Sequence, residues 1–154
     1  MRKRIIALVI VVLIALDQWV KLYTVNHIGL GETKSFIPGI MSLTYLKNYG
    51  AAFSILQNQQ WFFILITIVI MGIAIRYLLH HLDEGPPLIT SISLIIAGGI
   101  GNFIDRVRLG YVVDMFQTEF MNFAVFNVAD SYLTIGVVLL FVYILKEEMH
   151  GSHH

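Results

Sequence analysis

The chain has 154 residues, 57% hydrophobic and only 13% charged, with ten basic and ten acidic side chains that cancel. A soluble domain carries about 45–50% apolar and about 25% charged residues, so a mean hydropathy of +0.77 rules out an ordinary globular protein. The neutral balance rules out the basic excess that nucleic-acid binding needs, so no nucleic acid is expected as a partner. The lack of cysteine rules out disulfides, thiolate catalysis and cysteine-based metal sites.

A helix needs about 20 mostly apolar residues to cross about 30 Å of hydrocarbon. The first such run is Ile5–Tyr23, preceded by Arg2-Lys3-Arg4. A cleaved signal peptide would start the same way, but no small-residue cleavage site follows, and Asp17 and Lys21 interrupt the run's far end. An uncleaved first span is therefore expected. The long segment Thr24–Gln60 comes next. Within it Met41–Leu46 alternates polar and apolar residues between Gly39 and Gly50, which predicts a short strand.

The second span is Trp61–Leu79, with no charge before Arg76, and it ends in a short polar link, His80–Pro87, broken by Pro86-Pro87. The third span, Leu88–Ile104, is the shortest. A second long segment, Asp105–Val125, leads to the fourth span, Phe126–Leu145. The expected architecture is an all-α membrane protein of four transmembrane helices, with a small extracytoplasmic β element and loop between the first two. Residues 1–150 form one domain, and Gly151-Ser152-His153-His154 reads as the remnant of a tag.

Basic residues collect on the cytoplasmic side of membrane proteins. The cluster Arg2-Lys3-Arg4, directly before the first span, puts both termini inside together with Arg76 and Lys146. Lys34, Lys47, Arg106 and Arg108 then fall outside, in or beside the long segments. Long loops usually carry function, so chemistry is expected on the outer face.

Ionisable groups at membrane depth are costly and need a reason. Glu32, Asp83, Glu84, Glu119, Glu147 and Glu148 sit in loops or the tail and read as solvated surface. Asp17 and Lys21, four apart on one helix, can neutralise each other, and Lys21 is long enough to reach the interface. Asp105, next to Arg106 and near Arg108, reads as a permanently ionised scaffold carboxylate. Asp114 and Asp130 differ. Asp114 has no adjacent cation, and Asp130 shares a helical face with Asn127 at the start of the fourth span, where a helix-capping role is the alternative reading.

Two carboxyl groups held close cannot both ionise cheaply and share one proton. The charged one can activate a water while the protonated one hydrogen-bonds a scissile carbonyl. No H-E-x-x-H or G-x-S-x-G occurs; His27, His80 and His81 lack ligand-like partners, and no serine has the flanking glycines of a nucleophile. No metal or cofactor is called for. The run Gly98-Gly99-Ile100-Gly101-Asn102 admits two readings, close helix packing or room for a substrate backbone beside Asn102. A transporter or proton relay built on buried aspartates is the alternative function, although no broken-helix repeat supports it. The Y-D and G-x-G-D pair of presenilin-type proteases is absent.

Five blocks in order resemble the lipoprotein signal peptidases (signal peptidase II) of bacteria. They are Asp17-Gln18-Trp19-Val20-Lys21, Asn48-Tyr49-Gly50-Ala51-Ala52-Phe53-Ser54, Gly98 to Arg106, Val112-Val113-Asp114, and Phe126-Asn127-Val128-Ala129-Asp130. The one departure is Met115, where the family more often has Phe. The resemblance implies a catalytic pair at Asp114 and Asp130. It implies that Asn48, Gly98, Asn102, Arg106, Asn127 and Ala129 line or brace the site, and that Asp17, Lys21 and Asp105 support it. It implies a cytoplasmic-membrane enzyme that acts on prolipoproteins with a diacylglyceryl-modified cysteine, cleaving just before that cysteine. Membrane lipid and globomycin-type peptide antibiotics are implied as further partners. The aromatic segment Tyr45–Trp61 is expected to cover the substrate at the interface.

Overall fold

The computed structural model describes residues 1–50 and 59–151. At 26 residues, α1 (Arg2–His27) is about 39 Å long at about 1.5 Å per residue, enough to cross the hydrocarbon with turns to spare. Its burial is inverted relative to a soluble helix. The buried side chains are the polar Asp17, Lys21 and Thr24, spaced four and three apart on one face. Large apolar side chains such as Leu8, Leu16 and Trp19, the last 62% exposed, point outward. Such a helix is satisfied only when lipid covers its apolar side.

Helices α2 (Gln60–His80), α3 (Pro86–Leu109) and α4 (Val128–Gly151) complete four segments long and apolar enough to cross a membrane. Helix α3 is mostly buried and packs against the other three, while α1, α2 and α4 present most of their surface outward. The glycine run makes this possible. A methyl group at Gly98 would lie 2.4 Å from the Ala129 carbonyl oxygen of α4, one at Gly99 would lie 2.4 Å from Met71 Sδ of α2, and one at Gly101 would lie 2.6 Å from Asp17 Oδ2 of α1. Three small residues thus let three helices approach one axis. Farther along the same seam, Gly136 of α4 admits Ser91 and Ile95 of α3.

All four expected spans are present, but each helix is longer than its apolar window. The difference that bears on the site is in α3. Pro86 and Pro87 open it, where their missing N–H groups cost nothing, and it continues through Leu109 to Gly110, whose left-handed φ of 75° closes it. Asp105, Arg106 and Arg108, expected in an outer loop, therefore stand on its last turns. The start of α4 shifts the other way, from the expected Phe126 to Val128, because Phe126 pairs with Phe116 of the chain's third strand and Asn127 caps the helix. At the opposite end of the bundle the Arg2 guanidinium donates to the Glu84 carbonyl, tying the start of α1 to the link between α2 and α3. Helix α4 runs on through Gly151, and residues 152–154 lie outside the described residues.

The expected strand is β2 (Met41–Asn48), but it is one of three. Strand β1 (Thr33–Ile37) precedes it and β3 (Val112–Thr118), from the connection between α3 and α4, lies on its other side, giving an antiparallel sheet in the order β1-β2-β3. The β element is thus not confined to the segment between the first two spans. Neither extra strand alternates. The side chains of β1 are all exposed, and Val112, Val113, Asp114 and Met115 are all buried. In β2 the register against β3 slips between Leu43 and Leu46, and Thr44 and Tyr45 are both buried there. This bulge inserts one extra residue on β2 and re-aims the end of the strand. The sheet packs on the helix ends through Ile28, Tyr45, Val113 and Met115, while Leu78, Leu88, Ile89, Ile92 and Ile96 form a second core between the helices.

Candidate active site

Two segments far apart in sequence are brought together where the sheet meets the helices. After the bulge, Asn48 lies at the end of β2 beside β3, and its Nδ2 donates to Asp114 Oδ2 at 2.9 Å. The approach to α4 is stitched to β3 by Phe126, whose N–H donates to the Phe116 carbonyl and whose carbonyl accepts from Met115 and Phe116 N–H. One residue later Asn127 opens α4 in a capping box. The Asp130 N–H donates to Asn127 Oδ1 at 2.9 Å, and the Asn127 N–H donates to Asp130 Oδ2 at 3.1 Å.

The capping role weighed for Asp130 is therefore real, but it uses only one carboxylate oxygen. The other, Oδ1, accepts from Asn102 Nδ2 at 2.7 Å. Asn127, fully buried, also donates its Nδ2 to Asp114 Oδ1 at 2.7 Å and to Asn102 Oδ1 at 3.1 Å. One asparagine therefore bonds to both aspartates. Burial first, then the charge of Asp130, pushes the Asp114 carboxyl up to about 7, against the pull of donors Asn48 and Asn127 and of the Lys21 charge.

Beneath the pair lies a second polar layer. Lys21 Nζ, on a side chain 3% exposed, stands 3.0 Å from Asp17 Oδ2 and 3.1 Å from Asp105 Oδ2. The expected Asp17–Lys21 pairing is present, but Lys21 turns inward rather than toward the interface. Asp105 pairs with this lysine of α1, not with the arginines next to it in sequence. Each carboxylate has further donors: Ala129 N–H on Asp17 Oδ1 at 2.8 Å, Val113 N–H on Asp105 Oδ2 at 3.0 Å, and Gln18 Nε2 on both. Ala129, fully buried, thus ties the first turn of α4 to α1.

Asn48, Asn102, Arg106, Asp114 and Asp130 face a cavity of about 550 Å³, whose remaining wall is mostly apolar, from the Phe123–Phe126 segment, Val112, and Leu133 and Ile135 of α4, with Ser131 and Thr134 as its other polar side chains. The Arg106 guanidinium lies 5.0 Å from the centre of the Phe63 ring, and its Nε has no hydrogen-bond partner among the described residues. Gly98 does not border the cavity; it brings α3 against Ala129 and Leu133, which favours the packing reading of that run. No group of acidic residues and histidines suited to a metal ion occurs among the described residues. Ala51 to Ser54, and residues 51–58 of the expected cover, lie outside the described residues.

Sequence reasoning passed over Gln18, Phe63 and the Phe123–Phe126 wall. A polar amide inside an apolar span was a usable signal for Gln18. The aromatic wall carried none, because apolar loop residues beside a membrane are ordinary.

Four helices long and apolar enough to cross a membrane, with a buried Asp114 and a half-buried Asp130 hydrogen-bonded at the mouth of a largely apolar cavity, define a membrane protein equipped for acid–base chemistry on an apolar substrate. Residues 9–146 match the family model described as Signal peptidase (SPase) II. The chain is 61% identical to the lipoprotein signal peptidase of Streptococcus agalactiae serotype V over 154 residues, covering 100% of both chains. It is 58% identical to that of Streptococcus pyogenes serotype M2 over 152 residues, covering 99% of this chain and 100% of the other. A bacterial membrane enzyme solved at 2.3 Å resolution superposes with a TM-score of 0.87 at 34% identity, over 97% of this chain and 92% of that one. A second, solved at 1.9 Å, gives 0.81 at 35% identity over 92% of each. The chain belongs to the signal peptidase II family. It is a membrane peptidase, and the transporter alternative gives way to that assignment.

Proposed function

We propose that Asp114 and Asp130 are the catalytic dyad of an aspartyl endopeptidase. It removes the signal peptide from prolipoproteins that carry a diacylglyceryl group, cutting just before the lipidated cysteine. The observation that carries this is Asn127, which hydrogen-bonds both carboxylates where they face the cavity. A pair so placed holds one proton: its charged member draws a proton from a water, and its neutral member hydrogen-bonds the scissile carbonyl. The water's oxygen adds to the carbonyl carbon, and the proton then passes to the leaving amine as the C–N bond breaks.

The remaining site residues have supporting roles. Asn48, Asn102 and Asn127 orient the pair, and Arg106 reaches the same cavity with donor capacity to spare. The apolar wall suits a lipidated substrate arriving within the bilayer, and a globomycin-type peptide antibiotic would occupy the same space. Both termini lie in the cytoplasm and the dyad sits at the outer face of the bacterial cytoplasmic membrane. The amino-terminal basic cluster and the attachment of the sheet at the other end of α1 support this orientation.

The test is Asp114→Asn and Asp130→Asn, each assayed for cleavage of a lipidated precursor in detergent. Each variant should stay folded and lose about 10²–10⁴-fold or more in turnover. Near-normal turnover in either would reject the dyad.

A further inference from the structure

Asn102 is held from two sides. Its Oδ1 accepts from Lys21 Nζ at 3.0 Å and from Asn127 Nδ2 at 3.1 Å, while its Nδ2 donates to Asp130 Oδ1 at 2.7 Å. An amide can rotate half a turn and exchange its oxygen for its nitrogen. An ammonium group has three donors and no acceptor, so it can face only the oxygen. Lys21 is itself fixed, by Asp17 at 3.0 Å, Asp105 at 3.1 Å and the Gly101 carbonyl at 3.4 Å. The lysine therefore forces the Asn102 NH₂ onto Asp130. It also leaves Asn102 Oδ1 as the acceptor for one Asn127 hydrogen, which directs the other onto Asp114.

We infer that Lys21 is a positioning residue for the reaction: through Asn102 it fixes the donor pattern that both aspartates receive and favours the singly ionised form of the pair. This inference rests on the dyad reading and extends it to a side chain on α1 that touches neither aspartate. The charged groups around the arrangement are consistent with it. Asp17 from α1 and Asp105 from α3 surround Lys21; Arg106 from α3 faces the pair formed by Asp114 of β3 and Asp130 of α4; and β2 contributes the uncharged Asn48. With Lys21 gone, the Asn102 amide is free to present its oxygen to Asp130, which only a protonated carboxyl can accept as a partner. The pair then needs a higher pH to reach its active form.

The experiment measures kcat and KM across pH for cleavage of a lipidated precursor. Lys21→Gln alone would strand two buried carboxylates, so it is combined with Asp105→Asn, which keeps the net charge. The double variant should lose turnover at least tenfold with KM little changed, and the acid limb of its kcat profile should move up by about one pH unit. Lys21→Arg, which also only donates, should keep the limb where it is. Asn102→Ala leaves Lys21 with both carboxylates but cuts its link to Asp130, and it should reproduce the shift, so the test stands if the double variant does not fold. An acid limb that stays in place in a folded double variant, or in Asn102→Ala, overturns the role of Lys21. The dyad reading has its own separate test, the inactivity of Asp114→Asn and Asp130→Asn.

Discussion

Asn127 directs its backbone N–H, its Nδ2 and its Oδ1 entirely at the site: Nδ2 to Asp114 and Asn102, the other two atoms to Asp130. Capping α4 and bridging the aspartates can be separated by substitution. Serine is as good a helix cap as asparagine but has no second donor. Asn127→Ser should stay within about 1–2 kcal/mol of the parent in thermal unfolding, yet lose at least about 10²-fold in turnover; parallel losses in both would mean that the residue only caps. Asp114 makes a second prediction. Its carboxyl, ordinarily near 3.8, is raised to about 7, so the folded chain binds that proton more tightly than the unfolded one. The stability this contributes is complete below about pH 4 and is lost as pH rises through 7. The midpoint of thermal unfolding should fall as pH rises from about 4 to about 7, and Asp114→Asn should flatten that fall. Asp114 stands out in the sequence because it has no adjacent cation, and Asp130 because it shares a helical face with Asn127 at the start of the fourth span. The direction of Lys21 could not. Its stem reaches either the interface or the bundle axis, and the choice depends on Asp105, which lies 84 positions away.

The spans were legible because a run of about 20 apolar residues has few other uses. Their ends were not, since a helix continues past its apolar stretch wherever its polar groups find partners, as Asp105 does with Lys21. Strands β1 and β3 escaped detection because period-two patterning requires one wet and one dry face. Strand β1 is exposed throughout and β3 is buried over its first four residues. The glycine run is visible in the sequence without its direction, and its consequence can be tested on the helices themselves. A side chain at Gly98 meets the Ala129 carbonyl and Leu133 of α4, whereas nothing lies within 4 Å of a methyl group at Gly72 on α2. Gly98→Val should push α4, and Asp130 with it, away from Asn102. It should destabilise the protein by about 1–3 kcal/mol and abolish turnover. Gly72→Ala should leave turnover intact and add up to about 0.5–1 kcal/mol in stability, because alanine loses less backbone freedom in a helix. Equal effects from the two changes would dissociate the glycine run from placement of the dyad.

The meeting of residues 114 and 130 belongs to the whole molecule, because spacing along the chain does not say which helix ends become neighbours. It depends on α3 serving as the axis, on Phe126 stitching the approach of α4 to β3, and on the bulge in β2 that carries Asn48 to Asp114. The same arrangement puts the sheet at one end of the bundle and the Arg2–Glu84 bond at the other, so one experiment fixes the orientation of both. The chain has no cysteine, which makes a single introduced thiol an unambiguous reporter. Phe36 on β1 is 56% exposed and Asp83, in the link between α2 and α3, is exposed as well. If the amino-terminal basic cluster faces the cytoplasm, a membrane-impermeant maleimide added to intact cells should label Phe36→Cys and spare Asp83→Cys, which reacts only after the membrane is opened. The opposite pattern would put the dyad on the cytoplasmic face. A substrate exported through the membrane, with its lipidated cysteine presented at the outer leaflet, would then have no access to Asp114 and Asp130, and the proposed cleavage could not occur there.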